Sequence, residues 1–465
     1  MNKIVKSFLA VGCLGALALG AVGCYGENLT AYDIAVKNGF QGTEVEWLRS
    51  LQGANGEDGE DLDARELYQI AVENDYKGSF LDFCKELNIT VVEDNDTVTI
   101  AENVRSIVSI YCSYSITSRG GGWLGSSTKT YGSQAGSGVI IELEKEAGTA
   151  YIITNYHVVY NLDCDQAGVL DDIWVYPYGA YNAFTAENGD VYGDGIKATF
   201  VGGAMDYDVA ILKVEGSEYI KNSAVTAANV GESDKVQIGE KTYAIGNPAG
   251  AGIAVTNGIV SVDSEYISLS ALDERDLDRD GEVDGVTFRV MRTSAAINSG
   301  NSGGGMFNAE GELIGIVNAK SAGSTTDNMG YALPITLVMG VYDNILDNNE
   351  GKVLQATLGI TVSTKSSQAV VADNGEMSIV EEFTVVTAAS KGSSAYKKLS
   401  AGDVFLSASV NDKETVIFTR RHQLTDLLLS VRKGDTVTFT VRNSSGDEET
   451  VSITFDQDAY FTAFA

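Results

Sequence analysis

Short apolar runs in the chain predict several buried β-strands. Residues 151–159 read Y-I-I-T-N-Y-H-V-V, a buried-strand pattern that leaves His157 at the end of the strand. Residues 208–214 read D-V-A-I-L-K-V, so that Asp208 stands immediately before a second buried strand. An alternating pattern, V-R-S-I-V-S-I-Y, predicts a further strand from Val104. Two side chains able to take part in proton transfer therefore stand at strand ends.

The first hundred residues follow a different pattern. A basic segment, M-N-K-I-V-K, and the short apolar run after it predict an export signal over residues 1–24. Two similar segments follow, one from Tyr32 and one from Tyr68, and each reads as a helix, a Gly-containing turn and a second helix. An acidic, Gly-rich linker separates them. Residues 25–100 are therefore predicted to form helical surface repeats, which serve either as a spacer or as a ligand-binding module.

A glycine-rich stretch from residue 293 to residue 306 reads T-S-A-A-I-N-S-G-N-S-G-G-G-M and contains Ser302. Glycine-rich backbone turns sharply and brings amide N–H groups close to the serine hydroxyl. Acyl transfer needs this arrangement, because the nucleophile must stand on a turn and amide donors must stabilise the oxyanion that develops. Ser302 is therefore a candidate nucleophile.

A serine nucleophile needs a neighbouring base, which is usually histidine. The chain has two histidines, and His422 opens an apolar helical pattern in a different region from His157. A carboxylate must then hold the imidazole in the correct tautomer, and Asp208 is the candidate, with Asp206 two residues earlier. The order His157, Asp208, Ser302 is that of trypsin-like proteases and differs from that of α/β-hydrolases and subtilisins.

Six sequence blocks resemble the HtrA (Deg) family of trypsin-like serine proteases. In family order between residues 102 and 350 they are T-N-Y-H-V-V, D-Y-D-V-A-I-L-K-V, G-N-P-A-G, T-N-G-I-V-S, A-A-I-N-S-G-N-S-G-G and M-G-Y-A-L-P. The resemblance implies a mainly β fold with a chymotrypsin-like double β-barrel over residues 101–350. It also implies a serine endopeptidase that cleaves unfolded or misfolded exported proteins, with Ser302 as nucleophile, His157 as general base and acid, and Asp208 as orienting carboxylate.

The same resemblance implies the groups that surround the reacting bond. The amides of Gly300 and Ser302, with that of Asn301 nearby, would form the oxyanion hole. Ile297 stands five residues before the nucleophile and would line the specificity pocket, which favours a small aliphatic side chain on the acyl side of the cut. This chemistry requires no cofactor.

Residues 351–465 resemble a single PDZ domain of the kind that follows HtrA catalytic domains. The resemblance implies that Leu358, Gly359 and Ile360 form a carboxylate-binding loop for C-terminal peptides. A bound peptide would add as a strand beside this loop. His422 would either line the peptide groove or lie on the surface.

An acidic stretch, D-E-R-D-L-D-R-D-G-E-V-D-G, fits the first nine positions of a calcium loop through Asp276, Asp278, Asp280 and Asp284. Thr287 stands at the twelfth position, where a bidentate glutamate is expected. The stretch is therefore either a structural calcium site or a solvated acidic loop.

The cysteines bear on the compartment of the protein. The sequence A-V-G-C ending at Cys24 resembles the lipobox of bacterial lipoproteins, which implies a lipid anchor on the extracytoplasmic face of the membrane, at a Gram-positive cell surface. A plain cleaved signal and an uncleaved anchor are the alternatives. Of the remaining cysteines, Cys112 and Cys164 fall in the first predicted barrel and are either paired in a disulfide, which export permits, or free.

Composition limits the partners further. With 465 residues, of which 44% are hydrophobic, the chain can bury more than one core. The net charge of −32 argues against nucleic acid and anionic lipid as partners, because both would be repelled. HtrA proteases often form trimers, so a homotrimer is compatible with the resemblance.

Two other functions compete with an active protease. One is a latent protease that acts mainly as a chaperone or peptide-binding protein through its PDZ domain. The other is an adhesin or wall-binding protein carried by residues 25–95. The presence of His157 and Asp208 together with Ser302 favours the protease, because a binding protein does not need all three.

Overall fold

The computed structural model describes residues 96–119, 127–184, 191–270, 285–318, 329–348, 351–371 and 377–464, together with Val36 and Gln41. The chain divides into two compact units, Met1–Asn95 and Asp96–Ala465. The predicted export signal, the predicted lipidation site Cys24, the predicted repeats and the acidic stretch from Asp276 to Asp284 lie outside the described residues. Within the described part, no helix is both long enough and apolar enough to cross a bilayer.

Six antiparallel strands close into a first barrel: β1 (Ile107–Arg119), β2 (Ser127–Glu144), β3 (Thr149–Thr154), β6 (Ile173–Pro177), β9 (Ile196–Ala204) and β10 (Val209–Val214). Their order around the barrel is β1-β2-β3-β10-β9-β6. All residues of β10 except Lys213 are buried, because both faces of this strand are covered. The two apolar runs recognised in the sequence, β3 and β10, therefore lie side by side.

A second sheet has the order β11-β16-β15-β12-β13-β14-β17, and an additional pairing of β16 with β17 closes six of its strands into a barrel. The strands are β11 (Asn229–Val230), β12 (Lys241–Gly246), β13 (Ala254–Ser270), β14 (Gly285–Thr293), β15 (Gly305–Phe307), β16 (Glu312–Asn318) and β17 (Gly330–Pro334). The prediction of a mainly β, trypsin-like double barrel is confirmed.

Shorter elements connect and flank the barrels: β4 (Tyr160–Asn161), β5 (Gly168–Val169), β7 (Asn182–Phe184), β8 (Val191–Gly193), and the helices α1 (Asp96–Asn103), α2 (Glu218–Asn222) and α3 (Ile335–Asp347). Helix α3 begins directly after Pro334, whose fixed φ suits a helix start. Its apolar face packs into one continuous core with side chains of both barrels, among them Ile107 and Phe307. The barrels are therefore held together by shared burial of apolar surface.

The C-terminal region forms a separate sheet with its own apolar core. Its elements are β18 (Val353–Ala356), β19 (Thr361–Val371), β20 (Met377–Thr387), β21 (Val404–Val410), β22 (Thr415–Ile417), α4 (His422–Ser430), β23 (Thr436–Arg442), β24 (Glu448–Thr454) and β25 (Phe461–Phe464). The main sheet has the order β19-β20-β21-β23-β24, while β18 pairs with β25. Strand β19 therefore forms one edge of this sheet among the described residues.

The two cysteines of the first barrel are free thiols in the structure. Cys112 is buried and donates to the carbonyl of Val158 at 3.5 Å, whereas Cys164 donates to the carbonyl of Asn161 at 3.6 Å. Burial strongly raises the pKa of the Cys112 thiol. Of the two alternatives left open by the sequence, the structure contains free thiols.

Candidate active site

Ser302 lies in the tight turn between β14 and β15 and is buried, with 5% of its surface exposed. Gly300 and Gly303 on either side have φ angles of +96° and +84°, a region that only glycine adopts without strain. A Cβ atom on Gly303 would lie 2.1 Å from the carbonyl oxygen of Ser137 and 2.3 Å from Oγ1 of Thr154. The turn therefore packs directly against β2 and against the end of β3, and glycine is required for this close approach.

His157 stands in the single 3₁₀ turn Tyr156–Val158 that follows β3, as the strand pattern predicted. Its Nδ1 lies 2.8 Å from Oδ2 of Asp208, and its backbone amide donates to Oδ1 of the same carboxylate at 3.0 Å. The imidazole is partly exposed, with 17% of the side-chain surface accessible, whereas the Asp208 side chain is fully buried. The structure thus brings together the predicted histidine and aspartate, and leaves one face of the ring open.

Two asparagine side chains also hydrogen-bond to Asp208. It has left-handed backbone angles, φ 51° and ψ 42°, immediately before β10, a conformation that aspartate tolerates better than most residues. Its carbonyl accepts from Nδ2 of Asn155 at 2.9 Å, and its Oδ2 accepts from Nδ2 of Asn318 at 2.9 Å. Hydrogen bonds to the ionised form compensate for burial of the charge and fix its orientation.

Sequence reasoning missed Asn318, although a signal for it exists. Asn318 ends the apolar run of β16, so it is a polar side chain at a strand end, like His157 and Asp208. A search for polar residues at the ends of apolar strands would therefore have identified Asn318 as well.

Sequence reasoning also missed Ser137, which is fully buried in β2 and clamps the serine turn at two points. Its backbone amide donates to the carbonyl of Ser302 at 2.8 Å. Its hydroxyl donates to the carbonyl of Gly300 at 2.7 Å and accepts from the amide of Asn247 at 2.8 Å. The only local signal is a small polar residue inside the apolar strand, in the tripeptide G-S-G.

A second clamp comes from the loop after β12, the G-N-P-A-G block of the sequence. The amide of Ala249 donates to the carbonyl of Ser299 at 2.7 Å. Because the amide and carbonyl of one peptide unit point in opposite directions, this contact turns the N–H of Gly300 away from the loop. The amide of Asn301, in contrast, donates to the carbonyl of Asn298 at 3.0 Å and so takes part in the turn itself.

Ile297 is half-buried and packs against the interior of the second barrel. A Cβ atom on Gly330 would lie 2.4 Å from Cγ1 of Ile297. Ile297 therefore packs directly against Gly330, where any side chain would clash with it.

In the C-terminal region, Leu358 is buried in the local core and Ile360 packs partly against it. Gly359 between them has a φ of +69°. His422 is the first residue of α4 and is buried, with 8% of its surface exposed. Its Nε2 lies 3.8 Å from Oδ1 of Asp234, which is in the turn after β11. The sequence had offered a peptide groove or the open surface, and the burial of His422 rules out the open surface. A position in the peptide groove stays a prediction.

The sequence profile of the trypsin-like peptidase domain matches residues 136–316. Together with the two closed barrels, this match defines a trypsin-like serine endopeptidase. Serine protease Do-like HtrA of Lactococcus lactis subsp. lactis (strain IL1403) is 31% identical over 357 residues, which cover 71% of this chain and 77% of the relative. Serine protease Do-like HtrA of Lactococcus lactis subsp. cremoris (strain MG1363) is 29% identical over 79% of this chain and 88% of its own length. The chain therefore belongs to the HtrA family of serine proteases.

A solved structure described as "HtrA-type protease AlgW with decapeptide" aligns with 77% of this chain and 98% of its own, with 23% sequence identity and a TM-score of 0.45.

Proposed function

We propose that Ser302, His157 and Asp208 form the catalytic triad of this endopeptidase. The observation that carries the proposal is the buried Asp208 carboxylate, hydrogen-bonded to Nδ1 and to the backbone amide of His157 beside the Ser302 turn. Asp208 fixes the tautomer in which Nδ1 carries the proton, so that Nε2 can accept the proton of the Ser302 hydroxyl. The resulting alkoxide attacks the peptide carbonyl, and His157 then gives its proton to the leaving amine.

The oxyanion would be stabilised by the amides of Gly300 and Ser302, with Asn301 adjacent. The Ala249 contact supports this role for Gly300, because it orients the peptide unit before substrate binds. Donors that are already oriented stabilise developing charge without reorganisation in the transition state. Ile297, five residues before the proposed nucleophile, would line the specificity pocket and favour a small aliphatic side chain on the acyl side of the cut.

The test of the triad is covalent labelling with a fluorophosphonate. We expect the folded protein to gain one adduct per chain, and peptide mapping to locate it on Ser302, because the probe reacts with a serine whose proton a neighbouring base removes. The urea-unfolded chain is the control and is expected to remain unlabelled. An adduct on another residue, or equal labelling of folded and unfolded protein, would contradict the assignment.

Replacement of Ser137 by alanine tests the clamp on the serine turn. The hydroxyl holds the carbonyl of Gly300, and its loss leaves that carbonyl and the buried amide of Asn247 without this partner. A displacement of the turn by about 1 Å is expected to lower kcat on the order of 10²-fold. KM should change little, because Ser137 makes no contact that binds the ground state. The measurement is steady-state cleavage of an internally quenched peptide.

Ser268→Ala is the matched control for Ser137→Ala, because Ser268 is an exposed serine within β13 whose hydroxyl hydrogen-bonds with that of Thr287 at 3.1 Å. Its kcat should equal that of the parent. A Ser137→Ala protein with unchanged kcat would show that the two backbone clamps hold the turn unaided.

We also propose that the substrates are unfolded or misfolded exported polypeptides and that the protein acts on the extracytoplasmic face, anchored through lipid on Cys24. Two observations support this proposal: the predicted export signal, and the similarity to "Periplasmic serine endoprotease DegP" of Escherichia coli (strain K12). Mass spectrometry of the mature N-terminus tests the anchor: an unlipidated N-terminus would exclude it. Whether a homotrimer forms is tested by the molar mass in solution.

A PDZ-like role is proposed for the C-terminal region. The left-handed Gly359 and the edge strand β19 next to it support capture of a peptide C-terminus by Leu358, Gly359 and Ile360, with the peptide adding as a strand. This capacity would also serve the alternative of a latent protease that acts as a chaperone. Binding of a peptide acid, compared with the same peptide amide, tests the proposal, since equal affinities would exclude carboxylate capture.

Structural calcium at Asp276, Asp278, Asp280 and Asp284 stays a proposal, which calcium titration tests.

A further inference from the structure

Three side chains with metal-binding atoms converge where α4 packs on the second barrel. Asp234 lies in the short turn Ser233–Lys235 of the barrel, while His422 and Asp426 are four residues apart on α4. Residues at this spacing share one face of a helix. One ligand atom from each side chain lies within 4.8 Å of the others. None of the three belongs to the proposed catalytic site.

One of these side chains carries a buried charge that is only half satisfied. The side chain of Asp426 is 10% exposed, and its Oδ2 accepts from Arg289 at 2.7 Å. Its Oδ1 is buried and has no hydrogen-bond partner. An anionic oxygen in this situation is costly, because it has lost water without gaining a donor. One of the two carboxylate oxygens of Asp426 lies within 4.8 Å of ligand atoms of His422 and Asp234.

Burial shifts the pKa values of the cluster in different directions. It lowers the pKa of His422. Burial raises the pKa of Asp426 to about 7, and Arg289 offsets only part of this effect. Burial also works against ionisation of Asp234, but His422 and Arg289 together hold the pKa of that carboxyl below its usual value.

The positive charge of Arg289 would repel a bound cation. The sum of the charges around the three side chains therefore decides whether the cluster attracts one. Its guanidinium lies 2.7 Å from Asp426 and 3.8 Å from Asp234. Once a bound cation has displaced any proton from Asp426, two carboxylates and one guanidinium give a net charge of −1 around a neutral His422. The next cation, Arg420, is already paired with Asp263 at 2.8 Å. A divalent ion would therefore meet two attractive charges against one repulsive charge.

We propose that Asp234, His422 and Asp426 bind one zinc ion, which ties α4 to the second barrel. One imidazole nitrogen and two carboxylate oxygens are ligands that suit Zn²⁺, whereas Ca²⁺ prefers oxygen alone. Ligands around tetrahedral zinc lie roughly 3.3 Å apart, so the three atoms must approach by less than about 1.5 Å. Asp234 can supply this movement, because its side chain is 28% exposed on a short turn.

The surroundings complete the site and connect it to the barrel. A cavity of about 360 Å³ is lined by both His422 and Asp426, and offers room for a water molecule as fourth ligand. Arg289, which shares Asp426 with the proposed ion, lies in β14, the strand that runs into the Ser302 turn. Zinc would therefore act on the position of the C-terminal region and of this strand together. The binding itself does not depend on the proposed catalytic roles.

The experiment is a zinc titration of the full chain after treatment with EDTA and dialysis. Calorimetry is expected to show one saturable site per chain, and the unfolding temperature should rise with zinc concentration, because a ligand that binds only the folded state stabilises it. Cobalt in place of zinc should give the visible absorption of a site with fewer than six ligands.

His422→Ala is the decisive variant, with His157→Ala as the matched control. These are the two histidines of the chain, so the pair separates this site from any other imidazole. His422→Ala is expected to weaken zinc by at least roughly 100-fold, because even loss of a hydrogen-bond partner of a metal ligand costs about 10–100-fold. His157→Ala should bind zinc as the parent does.

If His422→Ala fails to fold, Asp234→Asn is tested in its place. Asp234 lies on an accessible turn, and asparagine has the same shape as aspartate. Zinc that fails to saturate a single site, or that binds His422→Ala and Asp426→Asn as tightly as the parent, would overturn the proposal. Binding that is lost in His422→Ala and kept in His157→Ala would support it.

Discussion

Replacing Ser302 with alanine is expected to lower kcat for casein cleavage by on the order of 10⁶-fold. The substitution removes the only atom proposed to form the acyl-enzyme. The oxyanion donors and the binding cleft stay in place, and a residual acceleration of about 10³–10⁴-fold over water is expected from them. Initial rates with unfolded casein, corrected for any contaminating protease by an affinity-purified blank, give the measurement.

Ser299→Ala is the control for this loss, because it deletes an exposed serine hydroxyl from the same turn and leaves the backbone contact of Ser299 with Ala249 intact. It should retain most of the parent rate. Adding His157→Ala to Ser302→Ala should cost little more, because triad members act as a unit. Casein digestion by Ser302→Ala at the parent rate would show that another group is the nucleophile.

The second large effect is expected from Asp208→Asn, which should lower kcat by about 10⁴-fold. The oxygen of the new amide must accept from the backbone amide of His157, so its NH₂ group replaces Oδ2. There it faces Nδ1 of His157 and Nδ2 of Asn318, both of which now donate to Oδ2. The imidazole can respond only by moving its proton to Nε2, which can then no longer accept the proton of Ser302.

Asp208→Asn can lower the measured rate in two ways, by changing the tautomer of His157 or by destabilising the folded protein, and the two must be distinguished. The new NH₂ group and Nδ2 of Asn318 are both donors, and this buried mismatch is expected to cost about 1–3 kcal/mol of unfolding free energy. Asn318→Asp added to Asp208→Asn supplies an acceptor and should restore the stability measured by urea unfolding. It should leave kcat low, because the Nδ1 partner is still a donor. Recovery of kcat in the double variant would contradict the tautomer argument.

The residues proposed as the catalytic triad could be named from the sequence because each carries a local signature. His157 and Asp208 stand at the ends of apolar strands, and Ser302 lies among glycines whose positive φ angles the turn requires. Strand ends and glycine-rich turns are readable from neighbouring residues alone. The family resemblance then supplied the barrel fold and the endopeptidase class, and the relatives and the profile match confirm both.

The partners of these residues could not be predicted, because nothing in their own neighbourhood marks them. The hydroxyl of Ser137 reaches the carbonyl of Gly300 across 163 residues of sequence, and Asn318 reaches Asp208 across 110. These contacts depend on how two barrels meet. The same holds for His422, because the sequence predicts its helix but not that this helix packs on the second barrel and buries the imidazole.

The amino-acid sequence by itself determined which segments form strands, where the turns fall and which side chains can do acid–base and nucleophilic chemistry. Hydrophobic periodicity and the positions of glycines are properties of short segments, so they can be interpreted without knowledge of the fold. Only the tertiary structure decided that Ser137 clamps the serine turn, that Asn318 completes the surroundings of Asp208, and that Asp234, His422 and Asp426 meet. Contacts of this kind follow from the register of distant strands and the packing of domains, in which each side chain's partner lies far away along the chain.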